Sequence, residues 1–161
     1  MTLTVGIDIG GTKVAAGVVD ADGRVVDRTE IPTPTSDSAE LLAAITDTAR
    51  GFLSSHDATA VGIGVAGLVD REGEIVRSAS HLPLRDYPLR EAVAAAVGVP
   101  VVVDNDANAG GWAEARFGAA SGCSEALFVG VGTGIGGALV IGGQLRRGAY
   151  GTGGEIGHLI V

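Results

Sequence analysis

Hydrophobic and polar residues alternate along the first part of the chain. Residues 3–9 carry apolar, mostly β-branched side chains at every second position, which predicts a strand with one buried face. Similar patterns predict strands at about 13–20 and 24–31, and Asp22-Gly23 between them is typical of a hairpin turn. The chain is therefore expected to begin with three strands joined by tight turns.

Helical spacing of apolar residues appears next. Ser36 or Asp37 can cap a helix whose apolar residues repeat over 41–53. Pro88 and Gly98 are placed to begin and end a second helix. Further predicted elements are strands at about 60–65, 99–103, 125–131 and 135–141, a short hairpin around 71–73, and a helix through Trp112 and Phe117. Strands and helices alternate, which indicates an α/β protein.

Composition narrows the class of protein. The chain has 161 residues, enough for one domain with a core, or one domain and part of another. Its net charge of -8 argues against a nucleic-acid partner. The single cysteine, Cys123, cannot form an internal disulfide, and the sequence shows neither a signal peptide nor an apolar run long enough for a membrane span. We therefore expect a cytoplasmic protein that binds neither nucleic acid nor membrane.

A glycine turn joins the first two predicted strands. Backbone N–H groups at Gly10 and Gly11 can approach an anion closely, and Thr12 and Lys13 add a hydroxyl and an ammonium. Asp8 lies at the rim of this turn, where a carboxylate beside a phosphate requires a cation such as Mg²⁺ with its waters. The alternative is an ordinary β-hairpin with a solvated aspartate.

The same order of features recurs near the end of the chain. Val129–Val131 is followed by Gly132, Thr133 and Gly134 and then by a second apolar strand. Two such hairpins facing each other can hold the phosphates of a nucleotide from both sides of a cleft. The alternative is a chance likeness between two apolar hairpins. The second copy has no counterpart of Asp8, so a metal would be held by the first.

Polar residues follow the strand predicted at 99–103. Asp104, Asn105 and Asp106 come where a buried strand meets a helix, the edge at which α/β proteins bind ligands. A carboxylate there can accept the proton of an attacking hydroxyl, and an asparagine can both donate to and accept from sugar hydroxyls. The alternative is that these residues only cap the helix.

A last polar pair lies in the glycine-rich tail. Glu155 and His158 are three residues apart and share one face of a helical turn. They can bind polyol hydroxyls or contribute to a metal site. The alternative for His158 is a structural or solvent-exposed histidine.

Four motifs together resemble the ROK family, which comprises sugar kinases and related repressors, and within it the bacterial glucokinases. They are Asp8–Lys13, Asn105–Asn108, Gly132–Gly137 and Gly154–His158, in the order and at the spacing of that family. The resemblance covers the whole chain. It implies an α/β protein with the actin-like ATPase, ribonuclease-H-like fold, with a complete first domain at 1–117 and the beginning of a second at 118–161.

The resemblance also implies roles for individual residues. Asp106 matches the catalytic base, which also contacts the sugar, and Asn105, Glu155 and His158 match sugar-binding positions. Asp8 matches the carboxylate that holds Mg²⁺ indirectly. The positions that match the two phosphate loops are Gly10, Gly11, Thr12 and Lys13 in the first and Gly132, Thr133 and Gly134 in the second.

The chain departs from the family pattern in two places. His158 also matches the first ligand of a structural zinc, but the family's other three ligands come from a Cys-x-Cys-Gly-x-x-Gly-Cys-x-Glu segment, and this chain stops at Val161. Zn²⁺ is therefore expected only in a longer chain. Segment 80–84 replaces an Asn-Leu-x-x-Trp pattern found in many members, which puts His81 where an asparagine near the sugar is common.

The resemblance implies ATP- and Mg²⁺-dependent phosphorylation of a hexose, most simply glucose to glucose 6-phosphate, by a homodimer or homotetramer of the full-length protein. Alternatives are a kinase for N-acetylmannosamine, fructose or allose, and a truncated fragment that binds sugar without turnover. A repressor is disfavoured, because the first loop begins at Asp8 and leaves no room for a DNA-binding helix-turn-helix ahead of it.

Overall fold

The computed structural model describes residues 2–132 and 134–158. Its elements in chain order are β1 (Leu3–Ile9), β2 (Lys13–Val19), β3 (Val25–Pro32), α1 (Ser38–Ser55), β4 (Ala58–Val65), β5 (Leu68–Val69), β6 (Val76–Ser78), β7 (Arg85–Tyr87), α2 (Leu89–Val97), β8 (Val101–Asn105), α3 (Asp106–Phe117), β9 (Glu125–Val131), β10 (Ile135–Ile141), β11 (Gln144–Leu145) and a short 3₁₀ helix (Ile156–His158). The alternation of strands and helices confirms the predicted α/β class.

A five-stranded sheet forms the first part of the fold. Its strand order is β3-β2-β1-β4-β8, with β1, β2 and β3 antiparallel and β4 and β8 parallel to β1. The predicted turn between β2 and β3 is present: Gly23 has a φ of 80°, and the Asp20 carboxylate accepts from the N–H groups of Asp22 and Arg24. This turn fixes the register of the antiparallel edge.

The main core lies on one face of this sheet, under α1 and α2. Alternate residues of β1 (Val5, Ile7 and Ile9) are buried there, as the period of two requires. Asp37 caps α1, since its carboxylate accepts from the N–H of Glu40 at 2.8 Å. Gly98 ends α2 in the left-handed conformation, with a φ of 72°. The predicted start of α1 and the predicted end of α2 are therefore confirmed. Pro88 precedes α2 as its N-cap instead of lying in its first turn.

The other face of the sheet meets α3, which in turn packs against a three-stranded sheet of order β11-β10-β9. Small residues allow the close approach. A Cβ on Gly111 would lie 2.5 Å from the Cβ of Ala138, and a Cβ on Gly136 would lie 2.9 Å from that of Ala107. The second hairpin is thereby held next to the end of the first sheet.

Two local predictions needed correction. The strand predicted at 99–103 begins only at Val101, because Pro100 has no N–H to donate to the ladder. Glu155 lies just before the helical turn rather than within it, since the 3₁₀ helix spans Ile156–His158. In the part of the chain that the structure describes, no helix is long and apolar enough to span a bilayer.

Candidate active site

An open cleft of about 1810 Å³ lies between the β1–β2 turn, the start of α3 and the β9–β10 hairpin. The predicted site residues that line it are Asp8, Gly10, Gly11, Thr12, Asn105, Asp106, Gly132, Gly134, Glu155 and His158. Lys13 is not among the lining residues, and Thr133 lies outside the described residues. One cleft thus brings together residues from four separate motifs.

The first glycine turn is braced through its carbonyl groups. Thr33 donates its hydroxyl to the carbonyl of Gly10 at 2.7 Å and its N–H to the carbonyl of Thr12 at 3.1 Å. Gly10 donates its own N–H to the carbonyl of Lys13 at 3.0 Å. Within the described residues, the N–H groups of Gly11 and Thr12 have no acceptor. Two unused donors held on a braced loop are suited to binding an anion.

Lys13 lies outside the cleft lining, and its part in anion binding stays a prediction. Its ammonium pairs with the carboxylate of Glu30 at 2.9 Å on the neighbouring strand β3, and both side chains are exposed. This hydrogen bond lowers the pKa of Glu30. Burial and Asp106 raise the pKa of Asp8, and the charge of Lys13 partly offsets that rise, so Lys13 still acts on the cleft. The lysine therefore contributes to the field of the site without lining it.

His81 packs directly on the first glycine turn. A Cβ on Gly11 would lie 2.7 Å from the Cβ of His81 and 3.4 Å from its ring. His81 also lines the cleft. Only glycine leaves room for this contact, which places His81 on the first glycine turn.

Asp8 lies at the carboxyl-terminal end of β1 and opens into the cleft. Partial burial raises its pKa, and the charge of Asp106 raises it further. A Cβ on Gly64 would lie 3.9 Å from the Asp8 carboxylate and 3.5 Å from the Cα of Asp106. Gly64 thus leaves the space between them open. Two carboxylates that repel each other beside the first glycine turn are a donor set of hard oxygens that fits Mg²⁺.

Asn105 caps α3 at the edge of the cleft. Its side-chain oxygen accepts from the N–H of Asn108 at 3.0 Å, which caps α3, and its amide donates to the carbonyl of Gly67 at 3.1 Å. The residue is only 7% exposed, yet it lines the cleft. An asparagine side chain has a second amide hydrogen and a second lone pair, which remain for a ligand.

Asp106 is the first residue of α3. One carboxylate oxygen accepts from the N–H of Ala107 at 2.8 Å, and the other has no hydrogen bond from the described residues. The side chain is exposed to the cleft. Its charge raises the pKa values of both Asp8 and Glu155. Asp106 is therefore the central negative charge of the site, with one oxygen available to accept a proton.

Glu155 and His158 approach the cleft from the second part of the chain. Burial raises the pKa of Glu155, while the neighbouring His158 lowers it and Asp106 raises it. Among the described residues, no group of three His, Cys, Asp or Glu side chains is arranged to hold a metal ion. Glu155 and His158 both line the cleft, close enough for their charges to interact.

The second glycine turn, like the first, joins two antiparallel strands. Val131 pairs with Ile135 in an antiparallel hairpin, and Gly132 donates its N–H to the carbonyl of Gly134 at 2.9 Å. Both glycines line the same cleft as the first turn. The repeated order of strand, glycine turn and strand thus corresponds to two hairpins at one cleft.

Sequence reasoning missed two residues that touch the site. Thr33 braces the first turn from the end of β3, and Arg147 lines the cleft with its guanidinium bound to Asp104. Each acts on a residue more than twenty positions away, so no local motif marks it. Only the strand order, which places β3 beside β2, would have indicated Thr33.

Known proteins resemble this chain over nearly its whole length. It is 46% identical over 159 residues to a glucokinase of Streptomyces coelicolor, a match covering 99% of this chain and 50% of that protein. It is 38% identical over 160 residues to an N-acetylmannosamine kinase of Escherichia coli, covering 98% of this chain and 54% of that protein. The chain therefore spans about half the length of the curated relatives it matches.

Solved structures show the same relationship. The crystal structure of a ROK family glucokinase from Streptomyces griseus, in complex with glucose and AMPPNP, matches with a TM-score of 0.93 and 46% identity, covering 99% of this chain and 51% of that one. The fold is thus the actin-like ATPase fold that the resemblance predicted. The sequence model of the ROK family matches residues 4–161. Since that match takes in almost every residue, the chain belongs to the ROK family.

Proposed function

We propose that the protein containing this chain is an ATP-dependent hexose kinase that phosphorylates glucose at its 6-hydroxyl. The observation that carries the proposal is the cleft itself. Asp106, with one unused carboxylate oxygen, shares it with Asp8 and with the unused N–H donors of Gly11 and Thr12. A proton acceptor beside an anion site is what transfer of a phosphoryl group to a hydroxyl requires.

Separate sets of residues bind the sugar and the phosphates. Asn105, Glu155 and His158 hold the sugar hydroxyls, and the two glycine turns bind the phosphates of ATP. Asp106 accepts the proton of the attacking sugar hydroxyl. The oxygen of that hydroxyl bonds to the γ-phosphorus of ATP, and the bond between this phosphorus and the leaving ADP oxygen breaks. Bound Mg²⁺ supplies charge neutralisation on the phosphates, and Asp8 is the residue that would hold it.

The proposed reaction site implies that the chain contributes to two domains. We propose that 1–117 is one domain, that 118–161 begins a second, and that the cleft lies between them. An acidic chain with small-molecule substrates also fits a cytoplasmic enzyme without nucleic-acid or membrane partners. We further propose a homodimer or homotetramer for the whole protein, which light scattering of the purified enzyme tests.

The test is an activity panel on the whole protein. ADP release is measured with ATP, Mg²⁺ and glucose, N-acetylmannosamine, fructose or allose in turn. We expect the highest kcat/KM with glucose, as the Streptomyces coelicolor relative is a glucokinase. Preference for N-acetylmannosamine would correct the sugar, and no turnover with any hexose would refute the kinase.

Asp106→Asn tests the assignment of the base. The substitution keeps the shape but removes the proton acceptor, so we expect kcat to fall by a factor of about 10²–10⁴ while calorimetry still detects glucose binding. Asp57→Asn is the matched control, because Asp57 is exposed and lies outside the cleft. Wild-type turnover in the Asp106 variant would rule out its role as the base.

A further inference from the structure

One ion pair joins the two parts of the cleft. Arg147 donates its Nε and Nη2 to one carboxylate oxygen of Asp104, at 2.9 and 2.6 Å. The Asp104 side chain is 14% exposed and that of Arg147 36%. Among the described residues, these are the only hydrogen bonds between 125–158 and 2–117. The relative position of the two segments thus has a single polar anchor.

The Asp104 end of the pair belongs to the turn that carries the proposed base. Its other carboxylate oxygen accepts from the N–H of Asn105 and from the amide of Asn108, each at 2.9 Å. Asp106 follows directly as the first residue of α3. A change at this carboxylate therefore acts on the residues that would hold the sugar and accept its proton.

The Arg147 end belongs to the loop that carries Glu155. The carbonyl of Arg147 accepts from the N–H of Gly153 at 2.8 Å, which closes the loop on itself. Gly151, buried and with a φ of 85°, lies against the carbonyl of Val69, where no side chain would fit. The loop is therefore compact, and its guanidinium connects it to the opposite side of the cleft.

Physical chemistry favours a positioning role for this pair over a stabilising one. Removing an ion pair from water costs about as much as its attraction returns, so an apolar pair would hold two segments together as well. A guanidinium with two N–H groups on one carboxylate, by contrast, fixes direction as well as distance. A fixed direction matters where substrate contacts come from both segments.

We propose that Arg147 is a positioning residue: its pair with Asp104 sets the placement of Glu155 relative to Asp106, and so the placement of the sugar hydroxyl relative to the base. This inference rests on the proposed hexose kinase activity. It assigns no substrate contact to Arg147. It predicts that the arginine affects sugar kinetics more than nucleotide kinetics, because neither glycine turn is held by the pair. Thr33 braces the first turn, and the close packing of β9 and β10 on α3 holds the second.

The experiment compares Arg147→Met with Arg146→Met in the whole protein. Arg146 is exposed, and its Nε bonds only to the carbonyl of Ile141 within the same sheet, at 3.2 Å. We expect Arg147→Met to lower kcat/KM for the hexose about 10- to 100-fold, the usual effect of misplacing a reacting group by about 1 Å. The KM for ATP should stay within about twofold, and Arg146→Met should match the wild type in both.

Two further variants separate positioning from simple loss of structure. Arg147→Lys keeps the charge and should recover part of the activity. The double variant Asp104→Asn with Arg147→Met should lose no more activity than the worse single variant, because both changes break one interaction. Additive losses, or a lower melting temperature with unchanged kcat/KM, would overturn the inference. A wild-type protein that phosphorylates no hexose would instead refute the proposed function and this inference with it.

Discussion

Replacing Gly11 with alanine tests the contact between the first glycine turn and His81. The new Cβ would lie 2.7 Å from the Cβ of His81, whereas non-bonded carbon atoms pack best at about 3.5–4.0 Å. The overlap is therefore about 1 Å. Gly11 is not among the glycines with a positive φ, so alanine fits its backbone conformation and the clash is the main cost.

The size of the effect follows from that overlap. The atom that is struck is a Cβ, which cannot swing aside, so the glycine turn or the segment around His81 has to move. Overpacking of this kind costs about 1–3 kcal/mol. If the turn moves, the unused N–H groups of Gly11 and Thr12 lose their alignment, and ATP affinity should fall about 5- to 150-fold.

The assay is calorimetric titration of a non-hydrolysable ATP analogue into Gly11→Ala and two double variants. Adding His81→Gly removes the opposing Cβ and should restore affinity to that of His81→Gly alone. Adding His81→Ala keeps that Cβ and should not. Wild-type affinity for Gly11→Ala, or equal rescue by both second changes, would show that the contact does not shape the turn.

The other two predictions concern Thr33 and Asp8. Thr33→Val removes the 2.7 Å hydrogen bond to the Gly10 carbonyl, which should cost about 1 kcal/mol of stability and weaken nucleotide binding about fivefold. The control Thr59→Val, at an exposed strand position, should change neither quantity. Equal values for the two variants would contradict the bracing role of Thr33. Burial and the charge of Asp106 raise the pKa of Asp8 in the folded state. The stability that protonated Asp8 contributes is therefore fully present below the unfolded pKa and is lost as pH rises through the folded pKa. Asp8→Asn should therefore melt at a higher temperature than wild type at pH 7, with the gain vanishing in acid, and should lose phosphoryl transfer; a lower melting temperature at pH 7 would contradict this.

The strands, helix ends and turns that depend on residues adjacent in sequence were predictable from the sequence. The alternation of apolar residues in β1 requires only a period of two, and the ends of α1 and α2 are marked by Asp37 and Gly98. The glycine turns were predictable for the same reason, because the residues that form them are adjacent in sequence. Where neighbouring residues determine the local structure, the sequence pattern was sufficient to predict it.

Contacts between distant segments were not predictable in this way. The motif that contains Lys13 shows nothing of Glu30, which the pairing of β2 with β3 brings within 2.9 Å of its ammonium. His81 and Arg147 likewise meet their partners only through the fold. A motif therefore indicates which residues can reach a ligand, but the fold decides which of them are already bound to the protein.

The same reasoning explains why capping and ligand binding, weighed as alternatives for Asn105, are compatible. Capping uses one lone pair of its side-chain oxygen, and the bond to Gly67 uses one amide hydrogen. These two bonds hold the amide plane in place and leave one donor and one acceptor. A side chain fixed in this way would lose little conformational freedom on binding the sugar of the proposed reaction, so the helix cap is compatible with the proposed sugar site beside Asp106.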